Sequence, residues 1–529
     1  MKIAKLYIFL LMIGMSSCYD DLGNYDYVEL NKVSIEGINS NEWYEKLANI
    51  DTLFFQPELT FSLSDAEEDL RYEWLLIPIN AAYNKDSIPM QEQRSEYVIG
   101  REKNLVYPVS KKSGRYIGFF NVTNIQTGIT YAANFFLKVK TALTDGWMIL
   151  CEQNGEARLD MISYINETEN LVSHDIWRDC DFPLGKPYKL TYDFALSSSN
   201  RLVWCEKGTY ALDGENLCPS EGSNLALQFA QQPEKVEVAC GATPMGTTPY
   251  REVLITADGD LYMRNRDDIL IGGFFDYRRN REKGGTEYFK LSPWLGFRQR
   301  YYSPSTTAIL VYDEENRRFL SIENNADYLS QVSFQSLGNV SFSAETGKDL
   351  VHMEGNTEGY VFAVLQDPDS KDYYIYGMQL QPDCKIQCSH YVKLNPANTD
   401  KIVQFAFHPI YRFLYYATEK GDVYQFNFNT SSSSEKAQKV LSFPGEEIAI
   451  MKFNYPVSYV SYEGWEQARW YWLHIASNKS GLPESECGIM RMYDIPDLTS
   501  TPQKQLEFSR LGKIVDITYR SKQDEAQKE

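Results

Sequence analysis

The chain contains 529 residues, with 52 Lys and Arg against 72 Asp and Glu and a formal net charge of −20. This acidic balance argues against nucleic acid, phosphate-rich ligands and acidic polysaccharides as partners, whereas neutral glycans and peptides are compatible with it. Aromatic residues form 14% of the chain, and 38 residues are tyrosine, which is typical of a β-rich protein and not of a disordered stalk.

The N-terminus carries the pattern of a cleaved signal. Lys2 and Lys5 form a short basic segment, and an apolar stretch from Leu6 to Met15 is followed by two serines and Cys18. An apolar stretch of about ten residues is too short to span a bilayer, which takes about 20. The pattern resembles the lipobox of bacterial lipoproteins, which implies that residues 1–17 are removed and that a lipid on Cys18 anchors the protein. A secretory signal with a chance cysteine is the alternative.

Residues 18–25 are polar and predict a flexible acidic tether. Asp20 and Asp21, just after Cys18, resemble the surface-export signal of Bacteroidota lipoproteins. This resemblance implies an outer-membrane lipoprotein exposed on the cell surface.

The remaining eight cysteines allow disulfides in an oxidising compartment. Cys384 and Cys388 are the closest pair in the sequence, but the spacing assigns no pairing. The five histidines are scattered and no CxxC repeat is present, so we expect no metal and no cofactor.

Residues 26–141 alternate short β-type segments with polar turns and show no helical period, which predicts one β-sandwich. The segments Tyr72–Leu75 (YEWL) and Ser113–Thr123 (SGRYIGFFNVT) resemble the YxW and GxYxxxxxV strands of polycystic-kidney-disease-type (PKD-like) immunoglobulin domains. This resemblance implies that Trp74 fills the core between the two sheets.

Beyond residue 141, β-hairpins recur at separations of 55, 51, 56, 51, 53 and 58 residues. Their first strands begin near Trp147, Leu202, Val253, Ile309, Tyr360, Phe413 and Tyr471. One hairpin per fifty-odd residues, with β-segments between, is typical of four-stranded propeller blades. Residues 142–520 therefore predict a seven-bladed β-propeller.

The C-terminal β-segment Lys513–Tyr519 has no hairpin after it, whereas the first hairpin has no strand of this type before it. We expect this last segment to become the inner strand of the first blade and to close the ring. Residues 521–529 predict a flexible tail. Two or three further β-sandwiches are the competing architecture.

The sequence contains no GxSxG, HExxH, Walker or dinucleotide-binding motif, so we expect no enzymatic activity. Rigid aromatic side chains in polar loops are better candidates, because they bind sugar faces and peptide side chains at low entropic cost. Two loop clusters supply the ligand- or partner-binding candidates. These are Tyr462, Trp465 and Arg469 in the first cluster and Tyr277, Arg279 and Trp294 in the second. Packing of strand residues and of a long loop is the alternative interpretation of each cluster.

The order of lipobox, acidic tether, PKD-like domain and β-rich region resembles the PKD-like lipoproteins of Bacteroidota. Such proteins accompany starch-utilisation-type (Sus-type) outer-membrane transporters and their lidding lipoproteins. The resemblance implies a non-catalytic accessory lipoprotein that binds oligopeptides or glycans, or docks on the transporter, for nutrient import. A propeller glycoside hydrolase or lyase and a structural spacer or adhesin are the alternative functions.

Overall fold

The computed structural model describes residues 31–63, 69–79, 94–180, 182–195, 198–244, 251–265, 273–299, 307–323, 326–429, 436–455, 464–497 and 500–521. The chain divides into two compact units, unit 1 (Met1–Thr141) and unit 2 (Ala142–Glu529). In the described ranges, no helix has the length and apolarity that a membrane span requires. Cys18 lies outside these ranges.

Unit 1 is all-β. Its strands are β1 (Val33–Glu36), β2 (Trp43–Leu47), β3 (Thr52–Phe55), β4 (Glu58–Phe61), β5 (Leu70–Pro78), β6 (Val98–Gly100), β7 (Leu105–Pro108), β8 (Gly114–Asn124) and β9 (Thr130–Lys140). They form a five-stranded sheet in the order β2-β9-β8-β5-β6 and the pairs β1-β4 and β3-β7.

The core of unit 1 is built around Trp74. Its side chain is fully buried, and its ring stacks on Phe55 at 5.4 Å and on Phe120 at 4.2 Å between centroids. The β5 strand that carries Trp74 pairs antiparallel with β8, and Trp74 lies opposite Phe120 in the register. The two segments that carried the PKD-like resemblance are therefore adjacent strands, and the predicted role of Trp74 is confirmed.

Unit 2 contains seven separate sheets in its described residues. Sheet 1 has the order β12 (Asn170–Ser173), β11 (Glu156–Tyr164), β10 (Gly146–Gln153), β35 (Lys513–Arg520). Sheet 2 comprises β13 (Pro187–Ala195), β14 (Ser198–Cys205) and β15 (Gly208–Ala211). Sheet 3 comprises β16 (Val238–Ala242), β17 (Arg251–Thr256) and β18 (Leu261–Asn265). Sheet 4 comprises β19 (Ile309–Asp313), β20 (Arg318–Ile322) and β21 (Ser330–Gln331).

Sheet 5 has the order β22 (Phe334–Gln335), β26 (Ile386–Lys393), β25 (Tyr373–Leu380), β24 (Tyr360–Gln366), β23 (Asp349–Gly355). Sheet 6 comprises β27 (Ile402–Phe407), β28 (Phe413–Thr418), β29 (Asp422–Asn427) and β30 (Gln438–Ser442). Sheet 7 comprises β31 (Glu446–Phe453), β32 (Leu473–Lys479), β33 (Gly488–Asp494) and β34 (Gln503–Leu511). A short helix, α1 (Gly464–Ala468), precedes β32.

Each predicted hairpin is present as an antiparallel strand pair. The expectation of four strands per repeat is met by sheets 1, 6 and 7, whereas sheets 2, 3 and 4 have three described strands and sheet 5 has five. In sheet 4 two isolated bridges, Leu291 to Asp313 and Gly296 to Leu310, stand where a regular inner strand would lie. Residues 291–299 therefore meet β19 at isolated points and form no regular strand.

The C-terminal strand β35 pairs antiparallel with β10, as the sequence predicted. Ile149 lies opposite Ile517, and the register shifts after Leu150, which lies opposite Asp516. Because β10 also pairs with β11, the end of the chain extends the sheet that its first hairpin begins.

In the described part of unit 2, seven clusters of buried apolar side chains each join two sheets. Representative pairs are Leu150 with Val203 for sheets 1 and 2, Leu202 with Leu254 for 2 and 3, Val253 with Val311 for 3 and 4, Leu310 with Val361 for 4 and 5, Val364 with Leu414 for 5 and 6, Tyr415 with Ile475 for 6 and 7, and Met490 with Ile149 for 7 and 1. Each sheet therefore buries both of its faces, and unit 2 has a propeller-like all-β arrangement.

A disulfide links Cys180 and Cys218, with Cα atoms 5.8 Å apart. Cys180 follows sheet 1 and Cys218 follows sheet 2, so the bond connects the segments that leave two consecutive sheets. Cys384 and Cys388, the closest pair in the sequence, are not joined by a disulfide.

His408 should make the stability of unit 2 pH-dependent. Its ring is buried, and Nδ1 accepts backbone N–H bonds from Ile410 at 3.1 Å and Tyr411 at 2.9 Å. Burial lowers the pKa of His408 to about 3. Because the unfolded chain binds the proton more readily, this contribution is complete above about pH 6.5 and is lost as the pH falls toward 3.

We expect His408→Asn to reduce the pH dependence of unfolding, because the amide oxygen can accept the same N–H bonds without titrating. The slope of the unfolding free energy between pH 6 and pH 4 should fall by about 1.4 kcal/mol per pH unit. Urea unfolding of both proteins across this range measures the slope. Parallel curves would contradict the assignment.

Candidate functional site

The inner strands of unit 2 surround a cavity of about 360 Å³, here called the inner cavity. Its walls come from β10, β13, β16, β23, β31 and β35, and from the irregular segment 294–299 that precedes β19. Contributing residues range from Trp147 to Tyr519, so only the tertiary fold brings them together. A volume of this size lies at the lower end of the range typical of small-molecule sites, roughly 300–1,000 Å³.

Aromatic rings form much of the cavity wall. They are Trp147, Tyr192, Trp294, Phe297, Phe453, Tyr455 and Tyr519. Trp147 is held firmly, because its indole N–H donates to Tyr164 Oη at 3.1 Å and its ring lies 4.1 Å from the ring of His474. The Tyr519 hydroxyl donates a hydrogen bond to Asp145 Oδ1 at 2.6 Å. These contacts hold the Trp147 and Tyr519 rings in place, so that they present rigid apolar surfaces to the water-accessible cavity.

A charged network lies behind this wall. The Asp516 carboxylate of β35 is buried and lies 3.5 Å from Lys189 Nζ of β13 and 3.7 Å from Lys452 Nζ of β31. It also accepts the backbone N–H groups of Leu190 at 3.0 Å and Ile517 at 2.9 Å. One carboxylate therefore connects the inner strands of sheets 1, 2 and 7.

The pKa values of the network follow from burial and charge. Burial opposes ionisation of Asp516, yet the lysine charges and the two N–H donors hold its pKa below the usual range. The Asp516 charge raises the pKa of Lys189 against the effect of burial. Burial lowers the pKa of Lys452, and Asp516 opposes this only in part. The three groups are therefore tightly coupled.

Arg298 and Glu354 add two further charges to the cavity wall. Glu354 Oε1 accepts the backbone N–H of Phe407 and lies 3.7 Å from His352 Nε2. Arg298 lies against Gly359, where an added β-carbon would come within 3.0 Å of Nη1. An added β-carbon at Gly355 would come within 1.7 Å of Phe297 O. A larger residue at Gly355 would therefore displace the backbone of this segment, whereas one at Gly359 would displace only the guanidinium end of Arg298.

The structure separates the members of the second predicted cluster. Trp294 lines the inner cavity, and its ring lies 4.7 Å from the ring of His352. Tyr277 is 44% exposed, whereas Arg279 is buried, with its guanidinium carbon 3.7 Å from the centroid of the Tyr277 ring. Arg279 also pairs with Asp276 at 2.9 Å. It lines a different cavity, of about 320 Å³.

The first predicted cluster packs against sheet 1. Trp465 lies on α1 and is half-buried, and Arg469 is buried. The Arg469 guanidinium lies 4.8 Å from the Trp465 ring and 4.4 Å from the Tyr164 ring, and it donates to Asn170 Oδ1 at 3.0 Å. This side chain attaches α1 to sheet 1. Tyr462 lies outside the described residues.

The sequence did not identify most of the cavity residues. Tyr519 lies on the last β-segment, which the sequence did predict, but periodicity alone cannot show that this segment shares one interior with Tyr192 and Lys452. The available signal was a charged residue within an otherwise apolar inner segment, as in Lys452 and Asp516. In the described part of the chain, no group of three or more His, Cys, Asp or Glu side chains has a geometry suited to a metal ion.

Comparisons with known proteins give one family match. Residues 18–181 match the model of the PKD-like family, a range that covers residues 18–141 of unit 1 and runs past the first hairpin of unit 2. No curated protein sequence matches the chain.

Solved structures resemble the chain only loosely. One is a quinonprotein alcohol dehydrogenase-like protein from Bacteroides thetaiotaomicron, with a TM-score of 0.41, 10% identity, and coverage of 93% of this chain and 97% of that one. Another is the Pan2 WD40 domain of Neurospora crassa, with a TM-score of 0.33, 11% identity, and coverage of 60% and 78%.

Replacing Asp516 with asparagine should destabilise unit 2. The substitution leaves Lys189 and Lys452 close together without their shared counter-charge. We expect a loss of about 2–4 kcal/mol, less than for a fully buried pair because both lysines are partly exposed. Urea unfolding measures the loss, and the exposed Asp369→Asn is the matched control. Equal, small effects of both substitutions would contradict the role given to Asp516.

Proposed function

We propose that residues 142–520 form a seven-bladed β-propeller in which β35 completes the first blade. Three observations support this proposal: seven sheets, a shared apolar cluster between each consecutive pair of sheets, and the pairing of β35 with β10. A propeller places its inner strands around a central channel, where the inner cavity would lie.

The proposed function is non-catalytic capture of oligopeptides or glycans for nutrient import. The inner cavity carries this proposal, because rigid aromatic walls with a few polar groups are typical of ligand sites. Glu354 is the one carboxylate among the described residues of its lining. Glycoside hydrolysis ordinarily requires two carboxylates flanking the scissile bond, so the described lining favours binding over that chemistry.

The proposed location is the outer face of an outer membrane, with Cys18 as the lipidated residue. The signal-like N-terminus and the acidic pair after Cys18 support this location. The proposed partners are a Sus-type transporter and its lidding lipoprotein, to which captured ligand would pass. The PKD-like family match over residues 18–181 is consistent with the resemblance on which these partners rest.

Removal of the lipidation site tests the anchor. The Cys18→Ala variant should fold but leave the membrane fraction, because lipid chains on this residue supply the membrane affinity. Fractionation followed by immunodetection measures the distribution, with Cys384→Ala as the control that should stay with the membrane. A Cys18→Ala protein that remained membrane-bound would contradict the proposed anchor.

Titration of the full-length chain with neutral oligosaccharides and short peptides tests capture. We expect binding to change the fluorescence of Trp147 and Trp294, and mass spectrometry to recover the ligand unaltered. The Thr518→Trp variant should weaken binding by filling the cavity, whereas the exposed Thr501→Trp should not. Turnover of a ligand would favour a hydrolase or lyase, and no binding to the panel would contradict capture.

A further inference from the structure

The charged side chains that line the inner cavity have a net charge opposite in sign to that of the whole protein. The chain has a formal net charge of −20, yet the described lining contains two cations, Arg298 and Lys452, and one carboxylate, Glu354. Charges around a concave, partly enclosed space act more strongly on a ligand than exposed charges do. The site can therefore attract an anionic group that the outer surface repels.

Glu354 is already engaged by the protein. Its Oε1 accepts the backbone N–H of Phe407, and the His352 ring lies beside the same oxygen. These contacts hold the carboxylate in place, and its charge opposes in part the lowering of the Lys452 pKa by burial.

The lysine network carries an excess positive charge. Asp516 balances only one of the two lysines beside it, Lys189 and Lys452. The Lys452 ammonium has three N–H groups. One donates to Ile517 O, and the side chain is still 31% exposed. Lys452 can therefore donate to a ligand and keep its contacts with β35.

The position of Arg298 is set by backbone packing. Gly355 and Gly359 allow residues 297 and 298 to approach sheet 5 closely. Gly296 lies equally close, since a β-carbon there would come within 2.7 Å of Val361 Cγ1. A guanidinium on this rigid segment can bind a carboxylate through two parallel N–H bonds.

We infer that the inner cavity is selective for ligands that bear a carboxylate, which Arg298 and Lys452 bind while the aromatic walls contact the ring or side chain of the ligand. This inference rests on the proposed capture function and names its ligand class. A uronic acid and an amino acid with a free C-terminus both present this chemistry.

Two matched pairs of probes test the inference by calorimetry on the full-length chain. The sugar pair is glucuronate and its neutral methyl ester, and the amino-acid pair is N-acetylphenylalanine and its amide. The acid of at least one pair should bind about tenfold more tightly than its neutral partner, or better. The pair that shows the difference identifies the source of the carboxylate.

Variants assign the selectivity to residues. Lys452→Gln and Arg298→Gln should each reduce the preference to less than about threefold, whereas Lys452→Arg should retain it. The exposed Lys420→Gln is the charge-matched control and should change nothing. Circular dichroism shows whether each variant is folded, and the Arg298 variant leaves the lysine network intact.

Equal affinity for the acid and neutral members of both pairs would overturn the carboxylate inference and leave capture standing. Failure of both acids to bind would also overturn it, and capture is then decided by the neutral panel. A preference that survives in both glutamine variants would exclude these two residues as its source and overturn the assignment.

Discussion

The position of β35 is the constraint on which the rest of unit 2 depends. Its pairing with β10 brings the end of the chain to the first hairpin of the unit. A side-chain network fixes the strand at its start, where Gly512 N–H donates to Asp160 Oδ2 at 2.9 Å and Lys513 pairs with Glu152 at 3.2 Å. Without β35, sheet 1 would expose the edge of β10 and sheet 7 would lose its apolar partner across Ile514 and Ile517.

The same strand also carries a buried carboxylate, Asp516, in the interior of unit 2. Asp516 lies between lysines from sheets 2 and 7, so correct assembly of three inner strands brings together a carboxylate and two ammonium groups. A buried ionic group of this kind contributes little net stability compared with apolar packing, but removal of one member leaves uncompensated charge. In the proposed arrangement it also supplies the positive field of the inner cavity.

The segment 294–299 has an irregular backbone and carries two residues of the proposed ligand site, Trp294 and Arg298. Among the described residues sheet 4 has no regular inner strand, whereas β23 supplies one in sheet 5. The two isolated bridges instead leave Trp294 and Arg298 in the cavity wall, and the glycines of sheet 5 receive the segment closely. Departure from the repeat thus creates the most distinctive part of the site.

The sequence by itself determined the strand-rich units, the hairpin period and the pairing of the last strand, because alternating apolar patterns and turn residues are local signals. The resemblance of two segments to PKD-like strands identified Trp74 as a core residue. Tertiary structure alone decided that Arg469 attaches α1 to sheet 1 and that Trp294 lines a cavity with Lys452 and Arg298. Residues more than 300 positions apart meet there because the packing of successive sheets, which no local pattern encodes, brings their inner strands around one space.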